Sequence, residues 1–301
     1  MSKGKRSVLK KFLDVVTVFF VGIMYLVSRI VPMNVVSILL GILGVILCPF
    51  IRETYLADKN IKKAFPEKSV FERIKIVCGV WFNLGLFAGE YCYVYRLTKK
   101  QLEKKVNFVD KGVLENIINN HKNKIGTLII SGHFSNWELA MSHILRVIDA
   151  KINVVYRESN NQFLERIVIQ QFKKKTNINL IAKNNNAGIR MVRALKNGEI
   201  VVLLSDQSDR RNGILIDFFN RKAYTNTTPF SLYKKLDIDL YFMYFIRQRN
   251  FFKIDIFCEK LKFDREKIEK VKFLTVLNEK FEKSITKKPS QWFWVHNRWK
   301  G

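Results

Sequence analysis

Residues 125–138 read IGTLIISGHFSNWE, and the fold turns on how that stretch is parsed. Ile125 to Ser131 is a short β-branched run, the signature of a buried strand. Gly132-His133 then breaks the run, and Trp137 to Ile148 carries a helix-like pattern. The unit is strand, turn, helix, with a histidine in the turn. Two further runs repeat the strand pattern: Ile152 to Arg157 (INVVYR) and Glu199 to Ser205 (EIVVLLS). Helix-like segments, Asn161 to Lys174 and Ala187 to Lys196, lie between them. The second ends at Asn197-Gly198, with glycine where a helix terminus favours a left-handed residue. Alternating strands and helices predict an α/β domain with a mostly parallel central sheet flanked by helices. Leu240 to Arg247 and Phe251 to Phe257, separated by a short polar link, predict an antiparallel hairpin. A helix-like stretch from Lys267 to Lys283 precedes Pro289 and an aromatic tail.

Upstream, Lys3, Lys5, Arg6, Lys10 and Lys11 introduce an apolar stretch, Phe12 to Ile51, whose charged residues are Asp14 and Arg29. Its charge-free part, Ile30 to Ile51, would reach about 33 Å as a helix, enough to cross a bilayer. We read residues 1–51 as a basic N-terminus with a retained membrane anchor, and 52–301 as one catalytic domain. Basic residues favour the cytoplasmic side. Pro32 splits the apolar stretch into two marginal spans, so a re-entrant hairpin broken near Arg29–Pro32 is expected, with a single span whose N-terminus crosses despite its charge as the alternative. Arg52 to Phe65 reads as a surface connection. Ser69 and Glu72 have capping-box spacing and open a helix over Val70 to Val94. That helix is apolar nearly all round, so it suits either a core or a lipid-facing position.

Lys and Arg number 53 against 26 Asp and Glu, a net charge of +27. Such a field attracts any polyanion: nucleic acid, an anionic membrane or an acidic carrier protein. There is no Cys/His finger spacing and no aromatic RNA-binding signature, so nucleic acid is not expected. Phe occurs 24 times, which suits contact with lipid. Cys48, Cys78, Cys92 and Cys258 form no CxxC pair, so neither zinc nor a disulfide framework is expected. HExxH, G-x-S-x-G, Walker A and G-x-G-x-x-G are all absent. No metal and no cofactor is expected.

The three central strand runs end in chemically capable residues: His133, Arg157, and Asp206 with Gln207. Ligands gather at the carboxyl ends of strands in open α/β sheets, so these residues define a candidate site. His133 in the turn and Glu138 in the first helical turn could meet. A carboxylate on one imidazole nitrogen would leave the other to take a proton from a hydroxyl. His133 is the candidate general base with Glu138 as its partner, and Asp206 is a rival for that place. Arg157 and Asp206 could instead pair with each other. Asn136 and Thr225 read as turn or cap residues, and the Gln291 to Trp299 aromatics as core rather than an acyl groove.

The H-x4-E box at 133–138, in the context SGHFSNWE, resembles the H-x4-D/E box of the lysophospholipid acyltransferase superfamily. More narrowly it resembles the lipid A biosynthesis lauroyl (late) acyltransferases. The likeness extends through NVVYRESNN (153–161), GIRMVRALKNGEIVVLLSDQ (188–207), IDFFNRKAYTNTTPFSL (216–232) and PSQWFWVHNRWK (289–300). The F-P-E-G-T-R-S box of glycerol-phosphate acyltransferases is absent, with SDQSDR (205–210) in its place. An expected glycine is replaced by Asn220, which tolerates left-handed backbone.

The resemblance implies a glycerol-phosphate-acyltransferase-like fold behind an N-terminal membrane segment, in the bacterial inner membrane with the catalytic domain facing the cytoplasm. It further implies transfer of a saturated acyl chain from acyl carrier protein to a hydroxyl of an anionic, Kdo-bearing lipid A precursor. Arg157, Asp206 and Gln207 would bind substrate or the developing oxyanion. Two other readings stand beside it: an acyltransferase for another membrane glycolipid or phospholipid, and a non-catalytic, basic, membrane-tethered binding protein.

Overall fold

The computed structural model describes residues 19, 22, 23, 25–94, 96–148, 150–156, 178–184 and 186–299. A mostly parallel seven-stranded sheet forms the centre. Its strands are β1 (Val106–Phe108), β2 (Gly126–Ser131), β3 (Ile152–Tyr156), β4 (Ile178–Ala182), β5 (Ile200–Leu204), β8 (Ile238–Arg247) and β9 (Ile254–Leu261). A separate antiparallel pair contains β6 (Gly213–Phe218) and β7 (Arg221–Asn226). The order across the main sheet is β1-β9-β8-β2-β5-β3-β4. Every adjacent pair is parallel except β8 and β9. All six residues of β2 are buried, as expected of a strand covered on both faces in a parallel sheet.

The helices whose bounds are fully described are α1 (Met33–Leu47), α2 (Arg52–Ala64), α3 (Val70–Val94), α4 (Lys99–Lys105), α5 (Lys111–Lys122), α6 (Trp137–Val147), α7 (Ala187–Lys196), α8 (Thr228–Lys235) and α9 (Lys270–Lys287). The expected strand–turn–helix unit is β2–α6, and the expected hairpin is β8–β9. Gly198, after α7, holds a φ of 72°. The capping box that opens α3 is present: Glu72 N–H donates to Ser69 Oγ, and Ser69 N–H donates to Glu72 Oε2. At the β6–β7 turn Phe219 and Asn220 have φ of 51° and 55°, so Asn220 takes the left-handed backbone expected of it. The helix expected over 161–174 lies outside the described residues.

Two expectations are corrected. Arg52 to Phe65 is not a surface connection but α2, whose apolar positions Ala57, Ile61 and Ala64 are buried. The Asn60 side chain on the same helix donates to the Trp294 and His296 carbonyls, tying α2 to the chain's last turn. The expected hairpin at Arg29–Pro32 is also not formed. Residues 25–30 are helical and the helix is interrupted at Val31–Pro32, but the chain does not turn back there. Arg96 donates to the Ser28 carbonyl and the Tyr93 hydroxyl to the Val31 carbonyl. Further along, Gly89 lies against Ser37, Gly85 against Leu40 and Gly41, and Gly44 against Trp81. Residues 28–44 therefore run antiparallel to 81–96, without a break in register.

Small residues make that approach possible. A Cβ on Gly85 would sit 2.2 Å from the Leu40 carbonyl oxygen, and Ser37/Gly41 face Gly85/Gly89 in the small-xxx-small manner of tightly packed helices. The outer side of α1 exposes Val35, Leu39, Ile42, Leu43, Ile46 and Leu47. Met33–Phe50 is long and apolar enough to cross a bilayer.

Candidate active site

β2 and β5 are neighbours, and Ser131 pairs with Leu204 at their carboxyl ends. Ser205 N–H donates to the Ser131 carbonyl at 2.9 Å, extending the ladder by one residue. The chains then part into Gly132-His133 on one strand and Asp206 on the other. His133 Nδ1 lies 2.8 Å from Asp206 Oδ1, and His133 N–H donates to Asp206 Oδ2 at 2.9 Å. The Trp292 indole N–H donates to Oδ2 as well, at 2.8 Å. Both carboxylate oxygens of Asp206 are thus engaged. A Cβ on Gly132 would stand 3.0 Å from both Cβ and Cγ of Asp206, so glycine there lets the carboxylate approach the turn.

The pair differs from the one first expected in the sequence. Asp206, not Glu138, takes His133 Nδ1. Glu138, in the first turn of α6, acts on His133 through its charge. A substrate-binding or oxyanion role does not suit Asp206, because its oxygens already accept from His133 and Trp292 and its charge would repel an oxyanion. Arg157 follows β3 but lies outside the described residues, and Gln207 follows Asp206, half-buried.

Burial alone would lower the His133 pKa. The Asp206 charge, the hydrogen bond that the ring donates to Asp206 and the Glu138 charge outweigh it, so the net shift is upward. Burial alone would raise Asp206; the His133 charge and the hydrogen bonds from His133 and Trp292 outweigh it and hold the carboxyl low. Asp206 therefore stays ionised and favours imidazolium. The Asp206 side chain is 1% exposed and that of His133 19%. The imidazole thus reaches the surface while its carboxylate does not.

The turn carrying His133 is held from several sides. Phe134 forms an antiparallel bridge with Trp292, and Ser135, at φ 47°, donates its N–H to the Gln291 carbonyl at 2.7 Å. Asn136 caps α6 by accepting from Leu139 N–H. Its amide donates to Glu90 Oε2 at 2.6 Å. Glu90 is in turn clamped by both terminal nitrogens of Arg247, at 2.7 and 2.6 Å, with 1% of either side chain exposed. Gln291 closes the circuit: its side chain accepts from Arg247 N–H and donates to the Arg247 carbonyl. Trp137 meets the His133 ring edge-on at 4.9 Å, and Phe293 lies 5.8 Å from it.

Breaking the buried pair is expected to be costly. Glu90→Ala leaves the Arg247 guanidinium buried and uncompensated and should destabilise the fold by roughly 3–5 kcal/mol. Replacing both partners with methionine should recover most of that. Thermal unfolding of the two variants in detergent separates these outcomes, and equal destabilisation by both would contradict the ion-pair account.

The aromatic tail is divided between two roles. Trp292, Trp294 and Trp299 are buried, as the core reading expects, whereas Phe293 is half-buried beside His133. Thr225 is no cap. It lies in β7 and accepts from the buried Arg298 and from Asn278. His296 accepts from Ser208 N–H at 3.1 Å, holding the loop after Asp206.

Sequence reading missed Trp292, Glu90, Arg247 and Gln291. Glu90 did leave a signal. It is the one charged residue between Ile76 and Tyr95, and a lone charge in an apolar helix points to a buried partner.

An imidazole held by a buried carboxylate, at the carboxyl edge of a parallel sheet, is able to take a proton from a hydroxyl, the chemistry of a class of hydroxyl-activating enzymes. Residues 3–301 match the family described as bacterial lipid A biosynthesis acyltransferase, and the chain belongs to that family. It is 26% identical over 288 residues to the lipid A biosynthesis palmitoleoyltransferase of Escherichia coli (strain K12), covering 94% of this chain and 90% of the relative. The same figures hold for the lipid A biosynthesis acyltransferase of Shigella flexneri. The chain is an acyltransferase of lipid A biosynthesis.

Proposed function

We propose that this acyltransferase moves a fatty acyl chain from acyl carrier protein to a hydroxyl of a Kdo-bearing lipid A precursor, as a late acyltransferase. The observation that carries the mechanism is the His133–Asp206 pair, with Nδ1 held by the carboxylate. Nε2 of the neutral imidazole takes the proton of the acceptor hydroxyl, and the oxygen attacks the thioester carbonyl carbon. A tetrahedral intermediate forms. Its collapse breaks the C–S bond, and the departing sulfur takes the proton back from the imidazolium. The ester is made directly, with no acyl-enzyme. Asp206 stabilises the imidazolium, and Glu138 assists through its charge. Arg157 and Gln207 are proposed to bind the acceptor phosphate or the oxyanion. Trp137 and Phe293, beside His133, offer apolar surface to an acyl chain.

Residues 1–51 act as the anchor and 52–301 as the catalytic unit, on the cytoplasmic face of the bacterial inner membrane. The apolar outer side of α1 supports membrane residence, and a cytoplasmic thioester donor fits a domain on that face. Purified protein incubated with a mixture of acyl-carrier thioesters and the lipid precursor should yield a product heavier by one acyl chain. Acylation of a different glycolipid or phospholipid, with the precursor untouched, would reassign the acceptor.

Acyl carrier proteins are acidic, and this chain carries +27. Turnover at low donor concentration is expected to fall steeply from low to moderate salt, because exposed charges are screened beyond about 8 Å at physiological ionic strength. A flat salt profile, or better turnover with acyl-coenzyme A, would count against this donor.

A further inference from the structure

A cleft of about 440 Å³ lies where α1 and α3 meet the end of β8 and the turn at residues 288–291. Ligand pockets commonly fall in this size range. Among the described residues of the His133 site, none lines the cleft apart from Arg247 and Gln291 of the framework behind the turn. Its walls divide by chemistry. Val45 of α1, Phe82 of α3 and Phe251 supply apolar surface, and Arg249 and Lys288 are exposed cations. Among the described residues, no acidic side chain lines it. Arg247, 2% exposed, also lines it, and its Nε makes no hydrogen bond among the described residues. Asn83 contributes a buried Oδ1 that likewise lacks a partner among them.

We propose that this cleft binds an anionic phospholipid of the surrounding membrane: its phosphate between Arg249 and Lys288, the start of its acyl chain on Val45 and Phe82. Three features select this occupant. The lining is cationic without a compensating acid, which suits a phosphate. The apolar wall belongs partly to α1, whose neighbouring residues Ile42, Ile46 and Leu47 are exposed, so a lipid can enter from the membrane side. The unpartnered Asn83 Oδ1 is an acceptor for a headgroup hydroxyl, which phosphatidylglycerol carries. The site is distinct from the one proposed to bind the acceptor. It can be read by binding alone, so its failure would leave the acyl-transfer reading untouched.

Cys78 lines the cleft and is half-exposed, as is Cys92, which does not line it. In non-ionic micelles, adding phosphatidylglycerol should slow maleimide labelling of Cys78 while Cys92, followed by peptide mass spectrometry in the same sample, keeps its rate. Phosphatidylcholine or inorganic phosphate should not reproduce this. In the R249A/K288A variant the protection should vanish. Native mass spectrometry provides the second measurement: retained phosphatidylglycerol should fall roughly tenfold for each cation removed. K122A/K196A, the same change of charge at two exposed lysines elsewhere, should behave as the unmodified chain. Protection by phosphatidylcholine to the same degree, protection by inorganic phosphate alone, or lipid retention unchanged in R249A/K288A would each overturn the proposal.

Discussion

His133→Ala is expected to lower turnover by roughly 100- to 10,000-fold, the usual worth of a positioned general base, in a protein that remains folded. The loss should fall on kcat rather than on acceptor binding, because the ring acts on a proton in flight. The rate of the unmodified enzyme should rise with pH through a limb above 6.5, since the folded-state pKa of His133 is raised by the Asp206 and Glu138 charges and only the neutral ring is a base. The stability consequence has the opposite direction. A group whose pKa is raised on folding contributes stability that is complete below its unfolded value, about 6.5, and is lost as pH rises through the folded value. His133→Ala should therefore destabilise the fold more at acid pH than at pH 8. A folded alanine variant with near-native turnover would remove His133 from the mechanism.

Asp206→Asn carries the second large effect, and the geometry dictates its form. Oδ2 receives two N–H groups, from the His133 backbone and the Trp292 indole. An amide must turn its oxygen toward them, because its NH2 would face two donors. That leaves NH2 facing His133 Nδ1, which becomes the acceptor, and the ring proton moves to Nε2. The imidazole is then in the wrong tautomer to take a proton. Where a buried aspartate orients a catalytic histidine in this way, the loss is about 10⁴-fold, and a comparable fall is expected here. Any residual activity should show its pH limb displaced downward, for want of the Asp206 charge. Glu138→Gln should cost less, as Glu138 acts on His133 through its charge while Asp206 holds Nδ1. If Glu138→Gln abolishes turnover and Asp206→Asn preserves it, the roles of the two acids are reversed.

The contest between those acids marks what could be read from the chain alone. Strand and helix identities were legible: β2, α6, α7 and β5 lie within a residue or two of their expected places, because each rests on a local pattern of apolar residues. The rule that ligands gather at carboxyl strand ends put His133 and Asp206 on one edge. The local H-x4-E spacing favoured Glu138, five residues away, whereas the partner on Nδ1 is 73 residues away. That distance closes only because β5 lies beside β2. Strand order is set by how helices and strands pack across the whole sheet, and no local pattern encodes it.

The same holds for Trp292, Glu90 and Arg247. Their side chains could be seen in the sequence, but the hydrogen bonds they make needed three remote segments in one place. Pro32 is a further instance. A helix interruption there was predictable from proline's missing N–H and fixed φ. Whether the chain turned back or ran straight on depended on α3, whose Gly85 and Gly89 accept Leu40 and Ser37 at close range. By itself the sequence determined the class of fold, the apolar helix and the edge of the sheet where chemistry gathers. Only tertiary packing decided which carboxylate orients His133 and which helix lies against α1, since both depend on contacts between segments far apart in the chain.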